Sequence, residues 1–272
     1  DKHLAGLGFH SADAVHLIAE AEKRAFADRA EYSGDPDFLK VPVAGLISSD
    51  YLRKRFEDFN EDAASPSAEI HAGSPFEYES KETTHYTVVD EDGNAVAATT
   101  PLNNSFGNSI VVGGAGFLLN NQMDDFSVKP GVPNLYGLVG GDANAIAPGK
   151  RMLSSMTPVI VEKDGKLFFT AGSPGGSTIP TTVFQVIINV LDYNMNIKNA
   201  VDTGRFHHQW LPDCICYETG ALDNTVLKAL MEKGHVINEW SVIGSVNAIM
   251  LLEKDIKTSG ADRRGDNTAF GY

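Results

Sequence analysis

The sequence predicts an α+β fold, a layered arrangement of antiparallel sheets and helices, on three observations. Strand-like runs are followed by helices without a regular strand–helix alternation, which argues against a doubly wound parallel sheet. Asp92-Gly93 sits between two β-rich runs, the signature of a hairpin. One long amphipathic helix comes early, with Ala14, Val15, Ile18, Ala19, Ala21, Ala25 and Phe26 recurring at helical spacing.

In chain order, the first helix is read over 11–32, with Ser11 placed as its N-cap and its charges on the face opposite the apolar stripe. A shorter helix is read over 49–59. Residues 60–82 turn polar and carry Pro66 and Pro75, so they are predicted as an extended, weakly packed linker that ends at Thr83. The hairpin follows, with strands over 85–89 and 95–100. A calcium-loop reading of Asp90-Glu91-Asp92-Gly93-Asn94 fails because the longer ligand series closing on a bidentate Glu is missing. Further strands are predicted at 117–119, 159–162, 167–171, near 214–218 and within 236–253. Helices are predicted at about 180–193, 197–204 and 224–233. No internal repeat is visible.

A chain of 272 residues with 42% hydrophobic and 21% charged residues can bury a sizeable core as one or two domains. Its net charge of −14 argues against nucleic acid or an anionic membrane surface as the main partner. No apolar run is long enough to span a bilayer, and the opening Asp1-Lys2-His3-Leu4 is not a signal peptide. Cys214 and Cys216 are read as two free thiols, since a bridge across one residue is strained and two cysteines alone make no zinc site.

Several segments carry possible chemistry. A threonine becomes an effective nucleophile when a free α-amine on the same residue serves as its base. Thr83 gains such an amine only if the Glu82–Thr83 bond is cut, and a polar linker running into a strand suits that. A threonine opening a strand is also simply a good β-former, so this segment alone leaves both readings open. Gly172-Ser173-Pro174-Gly175-Gly176-Ser177-Thr178 lies between a strand and a helix. Its glycines could present backbone N–H groups to an oxyanion, or could form a tight turn. The Lys of a phosphate-binding loop is missing. Ser154 and Ser155 could donate to a carboxylate, and an Asp within Asn120-Asn121-Gln122-Met123-Asp124-Asp125 could pair with an ammonium. Adjacent His207 and His208 point to opposite faces of a strand and lack a third ligand, so packing and hydrogen bonding are favoured over a metal site.

Taken in order, these segments resemble the γ-glutamyltransferases (γ-glutamyl transpeptidases) of the N-terminal-nucleophile hydrolase superfamily. The resemblance rests on Thr83-Thr84-His85-Tyr86, Asp92 to Val96, Leu119 to Phe126, Pro130 to Asp142, Leu153 to Met156, Gly172 to Ser177 and Arg205 to His208. Ala21 to Arg29 and Gly34-Asp35-Pro36 extend it upstream. It implies part of a four-layer αββα sandwich, with 1–82 the end of a large subunit and 83–272 a small subunit beginning at the nucleophile. It further implies autocleavage before Thr83 and transfer of a γ-glutamyl group from glutathione or a related amide, through a Thr83 ester, to water or an amino-acid or peptide acceptor. No cofactor and no metal is called for.

By position, the resemblance makes Gly175 and Gly176 the oxyanion donors and Ser154 and Ser155 the α-carboxylate site. Asn103, Gln122 and Asp125 would hold the α-amine, and Tyr136 lies in the loop covering the pocket. Two departures stand out. Pro101, with neither hydroxyl nor N–H, occupies the place of a threonine whose hydroxyl normally contacts the nucleophile. The family's carboxylate-binding Arg belongs to sequence upstream of Asp1, so the missing part of the large subunit is an expected partner. A homologue that binds γ-glutamyl ligands without turnover and a glutaryl or cephalosporin acylase are the alternatives. Export to the periplasm or cell surface is the family's usual destination.

Overall fold

The computed structural model describes residues 4–75, 86–104, 106–252 and 256–270. Four helices lead the chain: α1 (Leu4–Leu7), α2 (Ala12–Tyr32), α3 (Val43–Ile47) and α4 (Ser49–Arg55). Ser11 caps α2 as expected, its Oγ accepting the Ala14 N–H at 3.1 Å. The helix read over 49–59 stops at Arg55, where Phe56 leaves the helical conformation.

The charged face of α2 is not solvated. Glu20, Glu22, Lys23, Arg24 and Asp28 are all buried: the His208 N–H bonds Glu22, and residues 51–73, including part of the segment predicted as a loose linker, partner the other four. Glu20 accepts from Lys23 Nζ at 3.0 Å, Arg24 Nη1 at 2.6 Å and the Ser65 N–H at 3.1 Å. Lys23 also donates to the Ser65 carbonyl, and Arg24 Nη2 reaches Asp58 at 2.8 Å. Asp28 accepts from Tyr51 Oη, Arg55 Nε and the Gly73 N–H. A polar, proline-bearing segment is thus anchored at points as far as it is described: its backbone bonds the charged helix face and Ser67, Ile70 and Pro75 are buried, while many of its other residues stay exposed, as expected of a linker.

The hairpin is present as β1 (Tyr86–Val89) and β2 (Ala95–Ala98). It packs against a four-stranded antiparallel sheet in the order β3 (Val159–Lys163), β4 (Lys166–Gly172), β8 (Asn247–Leu251), β9 (Lys257–Ala261). On β4 the alternate residues Phe169 and Ala171 join a core with Val186 and Val190 of α5 (Ile179–Leu191) and Ile197 of α6 (Ile197–Asp202). Hairpin, sheet and helices make three successive layers among the described residues. The predicted strand at 117–119 is only an isolated bridge, Val111 to Leu118, in a short run between the glycine turn at 113–116 and Asn120-Asn121.

A second sheet contains β5 (Phe206–His207), β6 (Ile215–Glu218) and β7 (Ile237–Trp240). The β6–β7 pair is parallel, which departs from the all-antiparallel expectation. The connection through α7 (Asn224–Glu232) explains it, because a helix crossover returns the chain in the same direction. Phe206, Ile215 and Tyr217 meet Val15, Ile18 and Ala19 of α2 and Leu230 of α7 in a second core. Ile188 of α5 belongs to this core while Val186 and Val190 belong to the first, so α5 is the wall between them. A buried ion cluster closes the far end: Arg205 Nη2 to Asp262 at 2.6 Å, and Arg264 to Glu218 at 2.6 Å and Asp262 at 3.0 Å.

Burial separates the two partners of Arg24 in energy. Glu20→Ala leaves Lys23 and Arg24 buried without their shared carboxylate and is expected to cost about 3 kcal/mol in urea unfolding. Asp58→Ala, at a carboxylate 67% exposed, is expected to cost less than about 1 kcal/mol.

Candidate active site

The site residues named from the sequence sit on irregular backbone between β2 and α5. Thr83 and Glu82, the expected nucleophile and cleavage position, lie outside the described residues just ahead of β1. The structure therefore speaks to the surroundings of that strand end.

Gly175 and Gly176 follow β4. Their φ angles of 140° and 57° fall where side chains other than hydrogen are strained. The turn uses their carbonyls: Gly175 O accepts from the Thr178 N–H at 3.1 Å, and Gly176 O accepts from the Ile179 N–H. Among the described residues, neither glycine N–H is spent on a backbone acceptor. The N-terminus of α5 follows directly and adds positive potential. Tyr136 lies flat against this turn, such that a Cβ on Gly176 would fall 2.4 Å from Tyr136 Cε1. Tyr136 Oη donates to the Asn103 carbonyl at 2.9 Å, and its carbonyl accepts from Gln209 Nε2 at 3.0 Å. Asn103 itself has φ 76° and donates weakly to the Asn121 carbonyl at 3.4 Å. Gly175–Gly176, Tyr136 and Asn103 thus form one contiguous group.

A second group lines a small cavity that includes Arg29, Asp125, Ser127, Asn144, Leu153 and Ser155. Asp125 and Ser155, far apart in sequence, are brought together here. Ser154 lies beside Ser155, where its Oγ accepts from the Met156 N–H at 3.1 Å, and does not line the cavity. Gln122 stands one turn before Asp125 in the short helix Gln122–Asp125 and also does not line it. Burial pushes the Asp125 carboxyl up to about 6; nearby Asp124 adds to the shift and Arg29 opposes it. Burial likewise lowers Arg29, to about 10, with Asp125 opposing.

Three asparagine and aspartate side chains position these loops, and the sequence assigns none of them a role. Asn144, itself buried, donates from Nδ2 to the Asp125 carbonyl at 2.7 Å and accepts the Leu153 N–H at Oδ1 at 2.9 Å. It therefore ties the candidate amine-binding loop to the candidate carboxylate-binding loop. Asn134 Oδ1 accepts both the Tyr136 and Leu138 N–H groups at 3.0 Å, linking the cavity to the glycine turn. Asp35 accepts the Arg151 N–H at 2.7 Å and its guanidinium at 2.6 Å, which anchors the strand of chain that leads to Ser154 and Ser155. That pairing holds the Asp35 carboxyl well below the usual range. Arg29 was also missed as a site residue. Single polar side chains in loops leave no periodic signal in a sequence.

His207 and His208 are both buried and hydrogen-bonded. His207 bonds Thr181 Oγ1 at 2.8 Å and Gln209 Oε1 at 2.9 Å, while His208 bonds Asp213 at 3.2 Å. Desolvation lowers His207 to about 4, so it is neutral at physiological pH. The Cys214 and Cys216 sulfurs stand 3.7 Å apart as free thiols. His16, Glu20 and His235 have the composition of a metal-ligand set, but Glu20 is already neutralised by Lys23 and Arg24. His16 Nδ1 and His235 Nε2 are 2.7 Å apart, the distance of a hydrogen bond between imidazoles.

The glycine turn after β4 and the small cavity lined by Asp125 and Ser155 both lie on loops beside the layered sheets. The sequence profile of gamma-glutamyltranspeptidase matches residues 2–272. The chain is 53% identical over 266 residues to the "Glutathione hydrolase proenzyme" of Escherichia coli, covering 97% of this chain and 46% of that protein. It is 39% identical over 267 residues to the "Acylase ACY 1 proenzyme" of a Pseudomonas species, covering 97% of this chain and 45% of that one. A crystal structure of a mutant gamma-glutamyltranspeptidase from Helicobacter pylori superposes with a TM-score of 0.65 at 54% identity, covering 67% of this chain and all of that one. The chain belongs to the gamma-glutamyltranspeptidase family. It spans about half the length of the curated relatives it matches.

Asn144→Ala removes the tie between the two cavity loops and is expected to cost about 2 kcal/mol, the order of a buried hydrogen-bond pair left open. Hydrogen exchange would locate the effect, with the Leu153 amide losing protection before the β4 amides do.

Proposed function

We propose that this chain is the C-terminal part of a γ-glutamyl-transferring amidohydrolase precursor that cuts itself between Glu82 and Thr83. The observation that supports this most is the meeting of Asp125 and Ser155 on one cavity. A γ-glutamyl donor carries an ammonium and a carboxylate on one carbon, and such a head group requires a cation site beside an anion site. A glutaryl side chain has no ammonium, so Asp125 favours the γ-glutamyl reading over the acylase one.

In this proposal, cleavage frees the Thr83 α-amine, which titrates near neutrality and serves as the base for Thr83 Oγ. The hydroxyl oxygen attacks the γ-amide carbonyl, and its proton passes to the α-amine. The oxyanion of the tetrahedral adduct is received by the Gly175 and Gly176 N–H groups, pre-aimed by their left-handed conformation. Expulsion of the protonated amine leaves a γ-glutamyl ester on Thr83. Water or the amine of an amino acid or peptide then attacks the ester and regenerates the hydroxyl. Glutathione is the representative donor. The remaining part of the large subunit is the expected protein partner, and the periplasm or cell surface the expected location. No helix among the described residues is long and apolar enough to cross a membrane.

Mass spectrometry of the purified precursor tests the reading. Two pieces, one beginning at Thr83, together with chromophore release from a γ-glutamyl anilide are expected, and Thr83→Ala should stay uncut. An uncut, inactive chain would instead favour the ligand-binding homologue to which Pro101 points.

Asp125 gives a pH signature. It must be ionised to hold an ammonium, so kcat/KM for the donor is expected to fall as the pH drops through about 6. Its folded pKa lies above the ~3.9 of an unfolded aspartate, so stability from this group is complete below about 4 and is lost as the pH rises through its folded value. Asp125→Asn should therefore cut kcat/KM by at least about tenfold while raising Tm at neutral pH. A lower Tm at neutral pH would contradict this assignment.

A further inference from the structure

Arg29 is a charged side chain of the cavity that takes no part in the steps proposed for Thr83, Gly175, Gly176 and Asp125. It lies in the last turn of α2, upstream of the expected cleavage position, yet it lines the same cavity as Asp125 and Ser155. Its Nη2 donates to Ser155 Oγ at 2.8 Å, and its guanidinium lies 5.9 Å from the centre of the Phe26 ring. The Gly141 N–H caps the neighbouring Ala30 carbonyl at 3.0 Å, so the end of the helix is fixed against the cavity wall.

The direction of the Arg29–Ser155 bond matters. A hydroxyl has one hydrogen to donate and two lone pairs, whereas a guanidinium can only donate. Ser155 must therefore accept from Arg29, and its own hydrogen is left to point elsewhere. A carboxylate can only accept. An arginine behind the serine thus sets the serine hydroxyl to the polarity that a substrate carboxylate needs. The Arg29 charge also faces that of Asp125 across the cavity. Its potential favours an anion near Ser155 and keeps Asp125 available as an anion for the ammonium.

We infer that Arg29 is a positioning residue for the donor: it fixes Ser155 as a hydrogen-bond donor to the substrate α-carboxylate and balances the charge of Asp125. This rests on the γ-glutamyl reading of the cavity. It makes the end of α2 a working part of the pocket that acts through Ser155 rather than through direct contact with the reacting atoms.

The test uses the full precursor and a γ-glutamyl anilide, comparing Arg29→Met, Arg29→Lys, Ser155→Ala and the double variant Arg29→Met with Ser155→Ala. Arg29→Met is expected to raise KM about tenfold with kcat within about twofold, because a ground-state binding interaction is lost. Ser155→Ala should give a similar rise. The double variant should add little further, since both substitutions remove one coupled unit. Arg29→Lys, which retains a charge and a donor, should recover part of the KM loss.

A structural role alone predicts a different pattern: lower kcat, lower Tm, unchanged KM and additivity with Ser155→Ala. That pattern would overturn the inference. If Arg29→Met does not mature, Arg29→Lys carries the test, and an unchanged KM in that variant would also overturn it. Failure of the γ-glutamyl reading looks different again, because the unsubstituted precursor would then remain uncut and release no chromophore.

Discussion

The interaction on which most of this structure depends is the burial of a charged helix face. Glu20, Lys23, Arg24 and Asp28 lie along one side of α2, and none can remain desolvated without partners. Apart from pairs within the helix and the Lys23–Asp213 ion pair, their partners come from residues 51–73, and that requirement helps fix the path of this segment alongside its apolar anchors Tyr51, Phe56, Phe59 and Ile70. A second stripe of the same helix, Glu22, Phe26 and Arg29, follows the helical i, i+4, i+7 spacing. Glu22 accepts the His208 N–H at 2.8 Å, Phe26 meets the His207 ring edge-on at 5.8 Å, and Arg29 reaches Ser155. One helix therefore orders both the segment before the candidate nucleophile and one wall of the pocket.

The pocket itself is assembled with little regular structure. Loops on a rigid frame need their backbone groups satisfied by something other than a ladder. Here side-chain amides and carboxylates do this: Asn144 across two loops, Asn134 within a third, and Asp35 on the approach to the serines. These bonds set where Asp125, Ser155 and Tyr136 stand relative to one another. The glycine turn contributes the complementary constraint, since among the described residues its N–H groups take no backbone acceptor and its missing side chains let Tyr136 lie against it.

Much of the frame was legible in the sequence. Asp92-Gly93 marked the hairpin, apolar spacing marked α2, and the family resemblance brought Asp125 and Ser155 into one hypothesis. What was not legible has physical causes. Charge on a helix face reads as solvent exposure unless the covering segment is known, so the packing of 58–73 was missed. Strand β9, Lys257–Ala261, lacks an alternating apolar pattern. Its Gly260 sits so close to α6 that a Cβ would meet Val201 Cγ2 at 2.8 Å. The parallel β6–β7 pairing depends on a crossover rather than on any local signal. Arg29 and Asn144 are solitary polar residues whose importance arises only from what the fold sets beside them.

The contacts between the chain before residue 76 and the chain after residue 85 have a mechanical consequence. Asp213 accepts the Ser67 N–H at 2.7 Å and ion-pairs with Lys23 at 3.3 Å. Trp210 Nε1 donates to the Ser67 and Ile70 carbonyls at 2.9 and 3.1 Å. The Lys233 carbonyl accepts the Ala64 N–H, and α2 shares its core with β5, β6 and α7. The two stretches are interlocked like the halves of a split protein. Severing the covalent thread between them would liberate a chain end while leaving the particle whole. The fold thus separates two events that proteolysis usually joins, the creation of a new terminus and the release of a fragment.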